Sequence, residues 1–215
     1  MAALQTLHLA HLPPDLAVHV ALYTDVRNAS FLRDQLLQGN PDFEYALVDA
    51  SVILSTTHAL AAVFRAANDH LKGRLKSRNV HSEIVFSLGA NNNIAQSLRT
   101  FGITPTTTNL LAIKLSTDPS ITSSTISEHL SASIQGIQVE FNDAKLAGLN
   151  NIAKIRKLYK LGGVGEEGSK GKRRRKDGTV ESSGLVDGTA AKDAERERRE
   201  LEVAILGLMA LRGAV

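Results

Sequence analysis

Two hydrophobic rhythms alternate along residues 4–160, and the alternation limits this chain to a sheet covered by helices. LQTLHLAHL (4–12), AVHVALYTDV (17–26), YALVDASVI (45–53), HSEIVFSL (81–88) and TNLLAIKLS (108–116) read as strands, and IQVEFN (137–142) as an edge strand. Helical spacing fills the gaps. Asn28 is placed to cap a helix running to about Gly39, with Phe31, Leu32, Leu36 and Leu37 inward. From Thr57 to about Ser77, Leu60, Val63, Phe64, Ala67 and Leu71 recur at three- and four-residue intervals. Further helices are predicted over Asn93 to Phe101, Ser123 to Ser133 and 143–160. The link through Pro13, Pro14 and Asp15 is hairpin-short, so some strands must be antiparallel neighbours. The predicted class is α/β, a mixed and partly antiparallel sheet flanked by helices.

Composition then divides the chain. Residues 1–161 form the α/β body. Residues 162–192 are rich in Gly, Ser and charge with little to bury, which predicts a disordered linker. Helical composition resumes in AERERRELEVAILGLMALRG (194–213), so the third part is a C-terminal helix over 193–215 that packs back on the body and on a partner. No run approaches the roughly 20 apolar residues of a membrane span, and the N-terminus has the pattern of neither a signal nor a transit peptide. The expectation is a soluble intracellular protein without membrane contact.

Chemistry is narrowed by what the sequence lacks. Without cysteine there is no disulfide, thiolate metal site or thiol nucleophile. GVGEEG (163–168) matches a dinucleotide fingerprint, but it follows a helix and carries two carboxylates where a pyrophosphate would sit. His8 and His11, three apart on a strand, point to opposite faces. No HExxH or GxSxG pattern occurs. These observations predict a non-enzyme with no metal and no cofactor. The competing reading is a small hydrolase or transferase using Asp25, His19 or Asp49 beside the asparagine loop, with Asp25 and Asp49 at strand ends.

Two clusters of cations and one of asparagines invite a binding role. Lys72, Arg74, Lys76 and Arg78 crowd the end of the long helix, either as dipole-complementing charges or as a phosphate-facing patch. KGKRRRK (170–176) reads as a nuclear-import signal, a nonspecific RNA contact or a solvated run. In SLGANNNIAQSLRTFGI (87–103), Asn93 is the natural helix cap, which leaves Asn91 and Asn92 beside exposed helix-start amides.

The terminal helix is the most informative element. Leu201, Ile205 and Leu208 share a face, flanked by Ala204 and Leu211 on one side and by Met209 and Leu206 on the other. That apolar arc is about double the ~100° stripe that docking on one core requires. One reading sandwiches the helix within its own fold; the other gives part of the arc to a partner. Arg212 projects from this face, with its head reaching water or a carboxylate.

AVHVALYTDVRNASFLRDQL, EYALVDASVILSTTHALAAVFRA, EIVFSLGANNNIAQSLRTFGI, IRKLYKL and ELEVAILGLMALRG occur in this order, and together they resemble the PRPK-binding protein family, the small regulatory subunit of the KEOPS (EKC) complex. The resemblance covers nearly all of 17–161 and the last helix. It implies a non-catalytic subunit that binds and stimulates a small atypical kinase/ATPase and meets the other subunits indirectly. It also implies help in recruiting tRNA, through the 3′ CCA end in simpler relatives, for threonylcarbamoylation of adenosine 37. Telomere maintenance, transcription and a nuclear and cytoplasmic location are implied as well. The partner residues would be Leu201, Ile205, Leu208, Met209 and Leu211. Lys72, Arg74, Lys76, Arg78, Asn91 and Asn92 are assigned to RNA by charge and helix-end logic alone.

Overall fold

A computed structural model describes residues 4–162 and 187–212. The strands are β1 (Gln5–Leu7), β2 (Val18–Thr24), β3 (Ala46–Asp49), β4 (Leu110–Leu115) and β5 (Ile137–Val139). The helices are α1 (Ala29–Gln38), α2 (Thr56–Leu71), α3 (Val80–Ser87), α4 (Ile94–Phe101), α5 (Ser123–Ser133), α6 (Asp143–Leu149), α7 (Ile152–Leu158) and α8 (Asp187–Leu211). The sheet runs β1-β2-β4-β3, and β5 pairs with the far end of β2. Every described pairing is antiparallel.

Both faces of the sheet are covered, which explains why β3 and β4 are buried at every position. Val18, Val20, Leu22, Leu111, Ile113 and Leu115 point into one apolar layer with α2, α3 and the later helices. Ala21, Tyr23, Leu110 and Ala112 point into the other, beneath α1 and α5. The period-two alternation of each strand thus serves two cores at once.

Several expected elements change. HSEIVFSL is not a strand. Asn79 accepts from the Ser82 N–H at 2.9 Å, the Ser82 hydroxyl closes a reciprocal box, and Val80 to Ser87 coil into a helix buried nearly all round. A helix enclosed on all sides has no polar stripe, so its apolar run mimics a buried strand. β1 keeps three residues of 4–12, and β5 three of 137–142. β3 ends at Asp49, whose carboxylate accepts from the Ser51 N–H at 2.9 Å and starts a short 3-10 turn. α2 stops at Leu71, so the basic residues after it lie on a turn. The span 143–160 breaks into α6 and α7 where Asn151 caps a new start. On α1, Phe31 and Leu37 are exposed while Ala29 and Leu32 face in. Asn28 makes no cap bond; its side chain donates to the Ser133 carbonyl at 2.8 Å and accepts from the Gln135 N–H at 3.0 Å, tying α1 to the end of α5. α8 begins at Asp187, earlier than the expected Asp193, and most of the predicted linker, KGKRRRK included, lies outside the described residues.

A buried polar relay fixes the large layer. The Leu54 N–H donates to His58 Nδ1 at 3.1 Å. His58 Nε2 therefore carries the ring proton and donates to the Tyr159 hydroxyl at 2.8 Å, which donates to the Leu88 carbonyl at 2.5 Å. Three segments far apart in sequence meet there: the start of α2, the end of α7, and the corner that leads into the asparagines.

Burial holds the ring of His58 neutral and pushes it down to about 3. His81 is pushed down to about 3 as well, by burial first and then by Lys114 and His70. Between about pH 6.5 and 3 the unfolded chain binds protons at these rings that the folded chain refuses, so stability rises with pH in that window and is lost on acidification. Denaturation midpoints measured from pH 7 to pH 4 are expected to fall steeply. A flat profile would contradict the buried neutral state.

Candidate functional site

The terminal helix lies along α2 and is fastened at its middle and at its C-terminal end. Leu201, Ile205 and Met209 enter the large core. At its middle, Arg198 donates to the Leu54 carbonyl at 2.5 Å, and the Ser55 hydroxyl donates to Glu202. At its end, Arg65 of α2 donates to the carbonyls of Met209 at 2.5 Å and Arg212 at 3.1 Å. A helix end leaves carbonyls without partners and carries partial negative charge, so a guanidinium is the matching cap. Arg212, just past the helix, reaches neither water nor a hydrogen-bonded carboxylate. It is buried, donates to the Phe86 carbonyl and lies 3.8 Å from the Phe86 ring centroid.

This docking splits the expected partner set. Leu201, Ile205 and Met209 are 5%, 0% and 4% exposed, and the chain's own body covers them. Leu208 is half-buried, while Leu211 is 60% exposed. Val203, absent from the expected set, is 69% exposed. Ala210 is exposed beside it, and a Cβ added to Gly207 would meet nothing within 4 Å. The outward face of α8 is therefore an apolar strip of small and branched side chains. The doubled arc catches only Leu211 of this strip, because positions 203, 207 and 210 lie opposite the inward stripe and outside that arc.

The basic residues of 72–78 all reach the surface, and two clefts share Lys72, Arg74 and Arg78. Arg74 is bonded to Asp69 at 2.9 Å. Lys72 and Arg74 line a shallow cleft with Phe64, Arg65 and Asn68. Arg78 crosses Gly39, where a Cβ would lie 2.6 Å from its guanidinium, and there the backbone is left-handed (φ 71°). It shares a cleft of about 410 Å³ with Arg33 and Arg99, walled by Leu36, Leu98 and Ile103. Sequence reasoning misses Arg33, since nothing local ties it to the turn.

The asparagine corner does what its residues favour. Asn93 accepts from the Gln96 N–H at 2.9 Å and caps α4. Asn91 is engaged locally, accepting from the Asn93 N–H at 2.9 Å and donating to Gln96 at 3.2 Å. Asn92 is exposed.

No catalytic grouping assembles from Asp25, His19 and Asp49. His19 pairs across the sheet with Lys114, while Asp49 pairs with Leu110 at the other end of β4. His19 is held between the Thr6 hydroxyl at 3.0 Å and the Ser116 hydroxyl at 2.8 Å. Asp49 is bonded to Lys154 at 2.9 Å. Among the described residues, no three His, Asp or Glu side chains come together as metal ligands. No described helix is long and apolar enough to cross a membrane.

Comparison with known proteins matches the family model of the kinase binding protein CGI-121 over residues 23–213. A relative in Aspergillus terreus, named EKC/KEOPS complex subunit cgi121, is 50% identical over 215 residues, covering 99% of this chain and 98% of its own. The like-named protein of Aspergillus fumigatus is 49% identical, with 98% and 97% covered, and that of Coccidioides immitis is 46% identical with both chains fully covered. The matched span takes in both the docked helix and the asparagine corner, and on it this chain belongs to the CGI-121 family of kinase-binding proteins.

Proposed function

We propose that this chain is the non-catalytic regulatory subunit of an EKC/KEOPS complex. It docks on the small atypical kinase/ATPase and stimulates it, and it helps to recruit tRNA for threonylcarbamoylation of adenosine 37. The observation that carries the reading is the outward face of α8: Val203 and Leu211 present large apolar side chains on a helix already seated on its body. An exposed strip of that kind favours a partner surface. Leu208 extends the strip toward the body, and Leu201, Ile205 and Met209 support it from below.

The test is a pull-down of the kinase from the assembled complex. Val203→Asp with Leu211→Asp is expected to weaken co-purification at least ~100-fold, from charges buried at an apolar contact worth about 3 kcal/mol or more. The variant should melt as the wild type does, because both positions face solvent. Undiminished co-purification would overturn the kinase assignment to this face.

For tRNA the reading is supported by Lys72, Lys76 and Arg78 at the surface of the turn. Lys72→Glu with Lys76→Glu is expected to weaken tRNA binding and to lower the slope of log affinity against log salt by about 1 per phosphate no longer neutralised. An unchanged slope would remove the turn from the RNA interface. In the same reading the complex serves telomere maintenance and transcription, and the chain resides in nucleus and cytoplasm. Imaging of the tagged protein tests the location.

A further inference from the structure

Glu83 is fully buried on α3. Its Oε2 accepts from the Lys76 N–H at 3.0 Å, the Ser77 N–H at 2.7 Å and the Ser77 hydroxyl at 2.6 Å. One carboxylate oxygen thus dictates the backbone of the basic turn between α2 and α3. Its Oε1 has no hydrogen-bond partner among the described residues, and neither has Arg212 Nε.

Arg212 meets the next turn of α3, at the Phe86 carbonyl and ring. Burial first, and repulsion from Arg65 second, push its guanidinium down to about 10, while attraction to Glu83 acts in the opposite direction. A buried carboxylate is costly unless positive charge lies near it. Three donors from the turn hold one oxygen of this carboxylate, and Arg212, delivered by the terminal helix, docks three residues further along the same helix.

We propose that Arg212 and Glu83 are positioning residues that join α8 to the turn 72–78, so that seating the terminal helix sets the shape in which Lys72, Lys76 and Arg78 meet an anionic partner. The identity of the two ligands rests on the function proposed above; the joint itself does not. Its two states are α8 seated and α8 released. When α8 leaves, α3 loses Arg212 from the Phe86 carbonyl and ring, and the hold of Glu83 on the Lys76 and Ser77 amides weakens. A ligand that favours the seated state must then favour the ordered turn, and the coupling is reciprocal.

Hydrogen exchange on the full chain tests this. Arg212→Met keeps the bulk and removes the charge. It is expected to speed exchange at the Lys76 and Ser77 amides about tenfold while the middle of α2 is unchanged; Arg212→Lys should restore exchange to within about threefold, as coupling energies of this class allow. Adding the kinase should slow these two amides about fivefold in the wild type and not in Arg212→Met. Should Arg212→Met release α8 altogether, the Lys76 and Ser77 amides must exchange faster still, out of proportion to the rest of α2 and α3; Glu83→Gln, which alters their acceptor directly, sets the ceiling of that increase. Unchanged exchange at 76 and 77 with α8 seated, or an equal increase throughout α2 and α3, overturns the proposal. A kinase that fails to bind even the wild type defeats the proposed function instead, and the exchange result without kinase still stands or falls by itself.

Discussion

Replacing Ile205 by aspartate is expected to unseat the terminal helix and abolish kinase binding with it. Ile205 is completely enclosed, with Leu201 and Met209 beside it in the large core. The substitution removes a buried branched side chain and places a charge without a partner in the gap, at a combined cost of about 5 kcal/mol or more. A domain of this size has about 5–15 kcal/mol in total, so much of the population would be unfolded or would hold α8 detached. Urea denaturation and the kinase pull-down should fail together. Leu211→Asp and Val203→Asp act differently, affecting the pull-down and sparing the melt. If Ile205→Asp melts like the wild type, the inward stripe has been assigned to the wrong face.

Tyr159→Phe should rank second. Removing one oxygen leaves the Leu88 carbonyl and the His58 Nε2–H without their partner in a site closed to water. Each buried orphan costs about 1–3 kcal/mol, so a loss of about 2–6 kcal/mol is expected from a change that barely alters volume. The midpoint of urea denaturation reads it directly. A loss below about 0.5 kcal/mol would mean that the relay is not closed as described.

Much of this architecture is legible because the residues concerned act locally. Asn93 caps α4 as its position before Ile94 demands, and β2 and β4 carry their apolar runs where expected. The order of the five quoted segments is enough to point to the family, which the comparisons bear out. What stays hidden depends on contacts distant in sequence. Nothing within HSEIVFSL announces that α2 and the sheet close around it on all sides, so a helix passes for a strand. Asn28 has a cap residue's identity, yet Ser133 and Gln135 outcompete the helix for its side chain.

The terminal helix shows the same limit at the site. Its doubled apolar arc is readable, but the division of that arc between self and partner is not. By sequence, Leu201, Ile205 and Met209 go to the partner along with Leu208 and Leu211, and only the groove on α2 separates the two groups. The role of Arg212 is equally hidden, since its acceptor is a main-chain carbonyl 126 positions away.

The capping of α8 by Arg65 bears on how the protein is made. Residues 201–212 finish a core whose other fully buried members all precede Lys160. On the ribosome, the body must therefore wait with an open groove until residues 201–212 have emerged. Because the segment that closes this groove also displays Val203 and Leu211, a product that stops before residue 201 would have neither a complete interior nor that outward face.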